Sequence, residues 1–223
     1  MKRIILITCG IALISCSMKT RDNQNIYARL MVALGDNPTN KMQCVAEFMK
    51  DPDDMKKIAL EKGSKVFLDN KELNFDESYY PNYVLEREAS EFPGKHKWTI
   101  NIANKLKKEF DFEVVPFLIK TAIPEKIGKS DVKIDCENLK STDEVFLMLT
   151  ADFSDNSETT LDITPQDGYF IIPKEFLQKV DPIKVEMHFN ISRIKKIDDD
   201  YFTKGVEIEW TKVTNPFTTQ IVR

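Results

Sequence analysis

Residues 183–194 read IKVEMHFNISRI. Val185, Met187, Phe189 and Ile191 recur at every second position, with Glu186, His188, Asn190 and Ser192 between them. Side chains of a strand point alternately to its two faces, so this segment predicts a half-buried strand with one apolar and one polar side.

The same period runs outward from it. In IYARLMVAL, Ala28, Leu30, Val32 and Leu34 share one face and Arg29 lies on the other. MQCVAEFM groups Cys44, Ala46 and Phe48 against Gln43 and Glu47. KVFLDNKELNF reads as a hairpin, because Asp69-Asn70 tolerates the positive φ of a tight turn. YYPNYVLERE, KWTINIA and FEVVPFLI extend the series to about residue 120, where Pro81 and Pro116 predict edges or bulges because proline cannot donate to a ladder. A second series follows: DVKIDC aligns Val132, Ile134 and Cys136, EVFLMLTADF reads as a central strand, and TTLDIT, GYFIIP, GVEIEW and FTTQIV complete it. Short helical pieces are predicted at Pro52–Glu61 and Lys174–Val180, with a turn at Asn104–Lys108.

Each half holds six or seven strands over roughly 100 residues, the size and rhythm of an immunoglobulin-like sandwich. The polar stretch 121–130, with Pro124 and Gly128, has the composition of an inter-domain linker. The predicted fold class is all-β, two immunoglobulin-like β-sandwich domains in tandem, an N-terminal one over 26–122 and a C-terminal one over 123–223.

The first residues say where such a chain belongs. Lys2 and Arg3 precede an apolar run from Ile4 to Ile14. A bilayer span takes about 20 apolar residues, so this run fits the core of a signal peptide. Leu13-Ile14-Ser15-Cys16 resembles the bacterial lipobox, whose cysteine is acylated and becomes the new N-terminus. The resemblance implies removal of signal peptide 1–15, lipid attachment at Cys16, a tether over 16–25, and the lipid bilayer as a partner. Two or more acyl chains hold a protein stably on a membrane, whereas one does so only marginally.

Together with DGYFIIPKEFLQKV, where a strand ends at a proline and a helical turn follows, the lipobox and strand pattern resemble the two-domain immunoglobulin-like lipoproteins of Bacteroidota cell envelopes. That resemblance implies a cell-envelope lipoprotein, on the outer membrane, with its β domains in the periplasm or at the surface. It also implies a non-enzymatic binding or structural role toward a glycan or an envelope protein. SMKTRDN lacks the dense acidic run that resembles a surface-export signal, which leaves inward-facing placement open.

The net charge is −4, and loss of Lys2 and Arg3 takes Lys+Arg from 32 to 30 against 36 acids, a net of −6. A nucleic-acid binder would show the opposite balance. His96 and His188 read as exposed surface residues without a nucleophile to serve. The four cysteines have no metal-ligand spacing, and Cys44 and Cys136 read as buried, as free thiols ahead of a single bridge, either of which an oxidising envelope permits. No catalytic residue, metal site or cofactor is predicted. DPDDMKK reads as a helix start, while KIDDDYF and DFSDNSE read as solvated loops. Tyr79, Tyr80 and Tyr83, with Trp98, Trp210 and Phe217, divide between core and a sugar-stacking surface. KHKW and NKLKKEF form a local basic patch suited to an acidic glycan or a partner protein. The alternative function is an enzyme or accessory subunit of a glycan-degrading system, which would need paired carboxylates about 5 to 9 Å apart.

Overall fold

A computed structural model describes residues 25–35, 41–53, 56–103, 105–151, 158–180, 184–214 and 216–222. Cys16 and the DFSDNSE acids Asp152 and Asp155 lie outside them. In the first half the strands are β1 (Tyr27–Leu34), β2 (Lys41–Met49), β3 (Lys65–Leu68), β4 (Lys71–Glu72), β5 (Asn74–Asp76), β6 (Asn82–Glu88), β7 (Gly94–Ile102), β8 (Leu106–Val114) and β9 (Leu118–Ile119). The second half contains β10 (Lys126–Ile127), β11 (Val132–Glu137), β12 (Glu144–Ala151), β13 (Glu158–Ile163) and β14 (Tyr169–Ile172). A one-turn helix α1 (Lys174–Leu177) leads to β15 (Lys184–Ile197), β16 (Val206–Val213) and β17 (Phe217–Ile221). The chain is all-β, with sheets packed face to face, as its strand rhythm predicts.

Period-two burial explains the strands. Val185, Met187, Phe189 and Ile191 are each no more than 2% exposed, and Leu30, Val32, Cys44 and Phe48 are fully buried. Fully burying one such side chain stabilises by about 1.5–3 kcal/mol, so a one-residue slip of register would forfeit several of these at once. The β3–β4 hairpin turns on Asp69 (φ 50) and Asn70 (φ 66), the paired positive angles of a type I′ turn.

Two smaller sheets cover one large one. The sheet β4-β3-β7-β8 stacks on it, bringing Phe112 to 6.0 Å from Trp210 of β16 and Phe110 to 6.2 Å from Phe202 in the β15–β16 turn, ring centre to ring centre. The sheet β14-β11-β9 covers β15, with Phe170 5.1 Å from Phe189. The large sheet runs β10-β17-β15-β16-β1-β2-β6-β5, and β12 and β13 extend from the other edge of β15.

That order crosses the position 122/123 at which the sequence suggests a division. β1 pairs in parallel with β16, from Ala28↔Val206 to Leu34↔Lys212. Ahead of the suggested division, β9 already pairs with β11. Residues 122/123 are therefore not a boundary of sheet pairing, because the halves share strands. The long strand β15 joins β12 and β17 to the large sheet. At about 3.3 Å per residue its 14 residues reach about 45 Å, enough to bond β17 through 184–187 and β16 through 190–197 along one edge.

Among the described residues of the predicted helix Pro52–Glu61, 52–53 and 56–61, no helix is formed. The Asp53 amide donates to Asp51 Oδ1 (3.0 Å), and the Ile58 amide donates to the Phe48 carbonyl (2.7 Å). Asp51 thus closes a turn with its side chain, the local alternative that aspartate offers to a helix. Lys174–Val180 begins as the helix α1 and ends in a turn. At the β7–β8 connection the Lys105 amide donates to the Ile102 carbonyl (2.8 Å), closing the expected turn early, so that Lys108 already lies in β8.

Candidate functional site

An open concavity of about 440 Å³ lies on the solvent face of β12, β13 and β15. Phe146 stands at its centre, opposite Asp162 on one neighbouring strand and Asn190 on the other. One pleat further along, Glu144 faces Ser192, and Thr164 follows Ile163 at the end of β13. These side chains share a face because their partners Val145, Leu147, Ile163 and Ile191 point the other way, into the core.

The lining is rich in acceptors. Asp143 closes one end with a carboxylate that the Lys140 amide (2.7 Å) and Arg193 (Nε 2.6 Å, Nη2 2.8 Å) already engage. Ser192 Oγ shares a hydrogen bond of 2.7 Å with Thr211 Oγ1. Glu144 and Asp162 make no ion pair among the described residues, and no lysine or arginine lines the space. A half-buried phenyl ring beside free carboxylates and hydroxyls suits a ligand that presents C–H surface and donates hydrogen bonds. Among the described residues no group of three or more histidine, cysteine, aspartate or glutamate side chains is placed to hold a metal ion.

A second surface lies at the free edge of the large sheet. Phe75 in β5 and Tyr79 and Tyr80 just after it are exposed. The Phe75 ring leans on Tyr83 at 5.1 Å, and Lys57 Nζ stands 5.2 Å from the centre of the Tyr80 ring while pairing with Glu47. The tyrosines of YYPNYVLERE therefore divide: Tyr83 joins the core, and Tyr79 and Tyr80 face solvent. Trp98 and Trp210 are core residues, and Phe217 packs on Phe189 at 6.0 Å.

His96 corrects the sequence reading. It is buried, with Nδ1 2.8 Å from Asp69 Oδ2 and Nε2 3.0 Å from the Phe92 carbonyl. Asp69 also accepts from Arg87 Nη1 (2.5 Å) and the Lys97 amide (2.8 Å). Although burial works against it, hydrogen bonds from Arg87, His96 and Lys97 hold this carboxyl below the usual carboxylate range. Arg87 Nη2 then reaches Glu91 Oε2 (2.5 Å), and Lys71 does so at 3.0 Å. These five side chains lock the β3–β4 turn to the 3₁₀ turn at Ala89–Glu91, a structural task. His188 is half-buried on the outer face of β15.

Two surface expectations also change. The lysines of KHKW and NKLKKEF are largely matched: Lys97 with Glu109 (3.8 Å) and Asp111 (3.6 Å), Lys107 with Glu109 (2.6 Å), and Lys105 with Glu61 (2.8 Å). Opposite charges placed across the β7–β8 ladder, along β8 and between connections turn the basic patch into a neutral lattice. In KIDDDYF, Asp199 is more than a solvated acid. It accepts from the Tyr201 and Phe202 amides (2.8 and 2.9 Å) and pairs with Lys108 at 3.0 Å, docking the β15–β16 turn onto β8.

No family model matches this chain, and no curated protein does. Solved structures similar to it include the tandem Ig repeats of Dlar, at 10% identity over 88% of this chain and 96% of that one, with a TM-score of 0.27. Murine CEACAM1b is similar at 10% identity over 87% of this chain and 100% of that one, TM-score 0.25. The DIP-gamma IG1+IG2 structure is similar at 9% identity over 87% and 92%, TM-score 0.23. The all-β class rests on the strands themselves.

Proposed function

We propose that this chain is a lipid-anchored protein of a bacterial cell envelope with a non-enzymatic binding role, whose ligand sits over β12, β13 and β15. The ligand class is a glycan, or a hydroxyl-rich loop of an envelope protein. The lipobox at Cys16 supports the anchor. One placement carries the binding role. Ser192 pairs with Thr211, at the level of Ala33 near the far end of β1, so the concavity lies about 20 Å along the sheet from Tyr27, where the chain arrives from its anchor. An anchored chain would hold that face out from the membrane.

Titration with envelope polysaccharide fragments, and pull-downs from envelope extracts, test the site. Capture that falls severalfold in Phe146→Ala and Asp162→Ala is the expected result, and capture unchanged in both defeats it. Glu144 and Asp162 also supply the one specific opening for the glycan-degrading alternative. Hydrolysis of such a polysaccharide, abolished by Glu144→Gln or Asp162→Asn alone, would establish that reading instead. For the anchor, Cys16→Ser is expected to release the protein from membrane fractions and to block lipid labelling.

A further inference from the structure

We infer that Phe75, Tyr79 and Tyr80 form a docking surface for the lipid bilayer itself, a second contact beside the acylated Cys16; this rests on the anchored reading above. Phe75 is 46% exposed, Tyr79 92% and Tyr80 61%, all within one short segment at the sheet edge. The other exposed large apolar side chains among the described residues, Val115, Leu118 and Ile171, lie away from this segment. The patch has a rigid backing. The Phe75 ring rests on buried Tyr83, Tyr83 stands edge-on to Phe48 at 5.8 Å, and the Ser78 amide donates to Asp76 Oδ1 (2.8 Å) in the loop between.

What covers this surface follows from where the chain enters the fold. Tyr27, first residue of β1, pairs with Met49 of β2, and Met49 bridges to Lys57, whose ammonium lies over the Tyr80 ring. Two strand spacings of about 4.8 Å separate Tyr27 from Lys57, and three separate β1 from Phe75 on β5, so the patch lies about 10–20 Å from the entry point. The nine residue steps from Cys16 to Asn25 reach at most about 30 Å when fully extended. An acyl chain on Cys16 therefore keeps this end of the molecule within about 30 Å of the bilayer, with the three aromatic rings at that same end. Tyrosine favours the membrane–water boundary, where the ring meets acyl chains and the hydroxyl meets headgroups. An acyl anchor gains from a second membrane signal, and the patch supplies one. Charges around it are mixed: Lys50, Lys56 and Lys57 against Asp53, Asp76 and Glu77. The contact is therefore aromatic rather than electrostatic, and added salt leaves it in place.

The test uses the lipidated chain in phosphatidylethanolamine–phosphatidylglycerol vesicles, with an environment-sensitive fluorophore on Tyr79→Cys, or on Asp167→Cys at an exposed turn of the second half. Cys44 and Cys136 are buried, so each introduced thiol is labelled selectively. The expected result is a blue-shifted label at 79, quenched by bilayer-embedded quenchers and unaffected by 0.5 M salt as an order-of-magnitude screening condition, with a wet label at 167. Equal hydration at both positions while the protein co-sediments with vesicles overturns the docking and leaves the anchor standing. Loss of co-sedimentation only in Cys16→Ser identifies the anchor; no co-sedimentation of the parent chain overturns both. A label at 79 that stays wet on vesicles but shifts with a soluble glycan would make the patch a sugar site and also overturn the docking.

Discussion

Arg193 grips Asp143 with two hydrogen bonds, Nε to Oδ1 at 2.6 Å and Nη2 to Oδ2 at 2.8 Å, and the Asp143 side chain has no solvent exposure. The guanidinium also stands 5.2 Å from the Phe117 ring centre and 5.9 Å from that of Trp210. One side chain on β15 thereby ties the loop before β12 to the β8–β9 connection and to β16. Replacing Arg193 with methionine leaves a buried carboxylate without its cation, a loss of about 3–5 kcal/mol. Urea unfolding of Arg193→Met is expected to show it, and restoration of most of the loss in the double variant with Asp143→Leu would confirm that the unpaired charge is its source.

The shared sheet predicts how the protein unfolds. Residues 26–122 expressed alone would lack β16, which pairs with β1 from Ala28 to Leu34, and Phe202, which packs on Phe48 at 5.9 Å. That fragment is expected to lack a cooperative transition, whereas the whole chain unfolds in one step by both tryptophan fluorescence and far-ultraviolet circular dichroism. A cooperative, native-like fragment 26–122 would refute the dependence.

Acid should loosen the β3–β4 turn. Hydrogen bonds from Arg87 and then Lys71 hold the Glu91 carboxyl down to about 2, and Asp69 is also held low. A carboxyl with a depressed folded pKa stabilises above its unfolded value and loses that stabilisation as pH falls toward the folded value. For Glu91 the window runs from about 4.3 down to about 2. Urea midpoints measured at pH 6 and pH 3, chosen only as approximate brackets of that window, are expected to differ less in Glu91→Gln than in the parent. An equal difference in both proteins would count against it.

The two thiols give a simple chemical readout. Burial pushes Cys44 up to about 12 and Cys136 up to about 11, and both are free. The thiolate is the reactive form, so near neutral pH the folded protein should resist thiol reagents at both positions. Both should label at once in denaturant. Native labelling at either site would show that its strand opens.

The type I′ turn offers a local test. Asn70 at φ 66 sits where β-branched residues are strained. Asn70→Val is expected to destabilise by about 1–2 kcal/mol, while Asn70→Gly stays near the parent. Thermal unfolding of the two variants separates these outcomes.

The amino-acid sequence by itself determined the elements whose cause is local. Alternation marked Val185 through Ile191, Asp69-Asn70 marked the hairpin turn, and apolar neighbours marked Cys44 and Cys136 as buried. Such signals are carried by residues a few positions apart, where pleat geometry and φ preference act directly. Only the tertiary structure decided that His96 is buried between Asp69 and Phe92, that Lys97 meets Glu109 and Asp111 across the ladder, and that Asp51 closes a turn instead of starting a helix. It likewise decided that Asp162, Phe146 and Asn190 share one concavity, and that β1 pairs with β16 across some 180 residues of chain. Those pairings join strands far apart in the chain, so their stabilisation comes from packing and partner charge that no local period encodes.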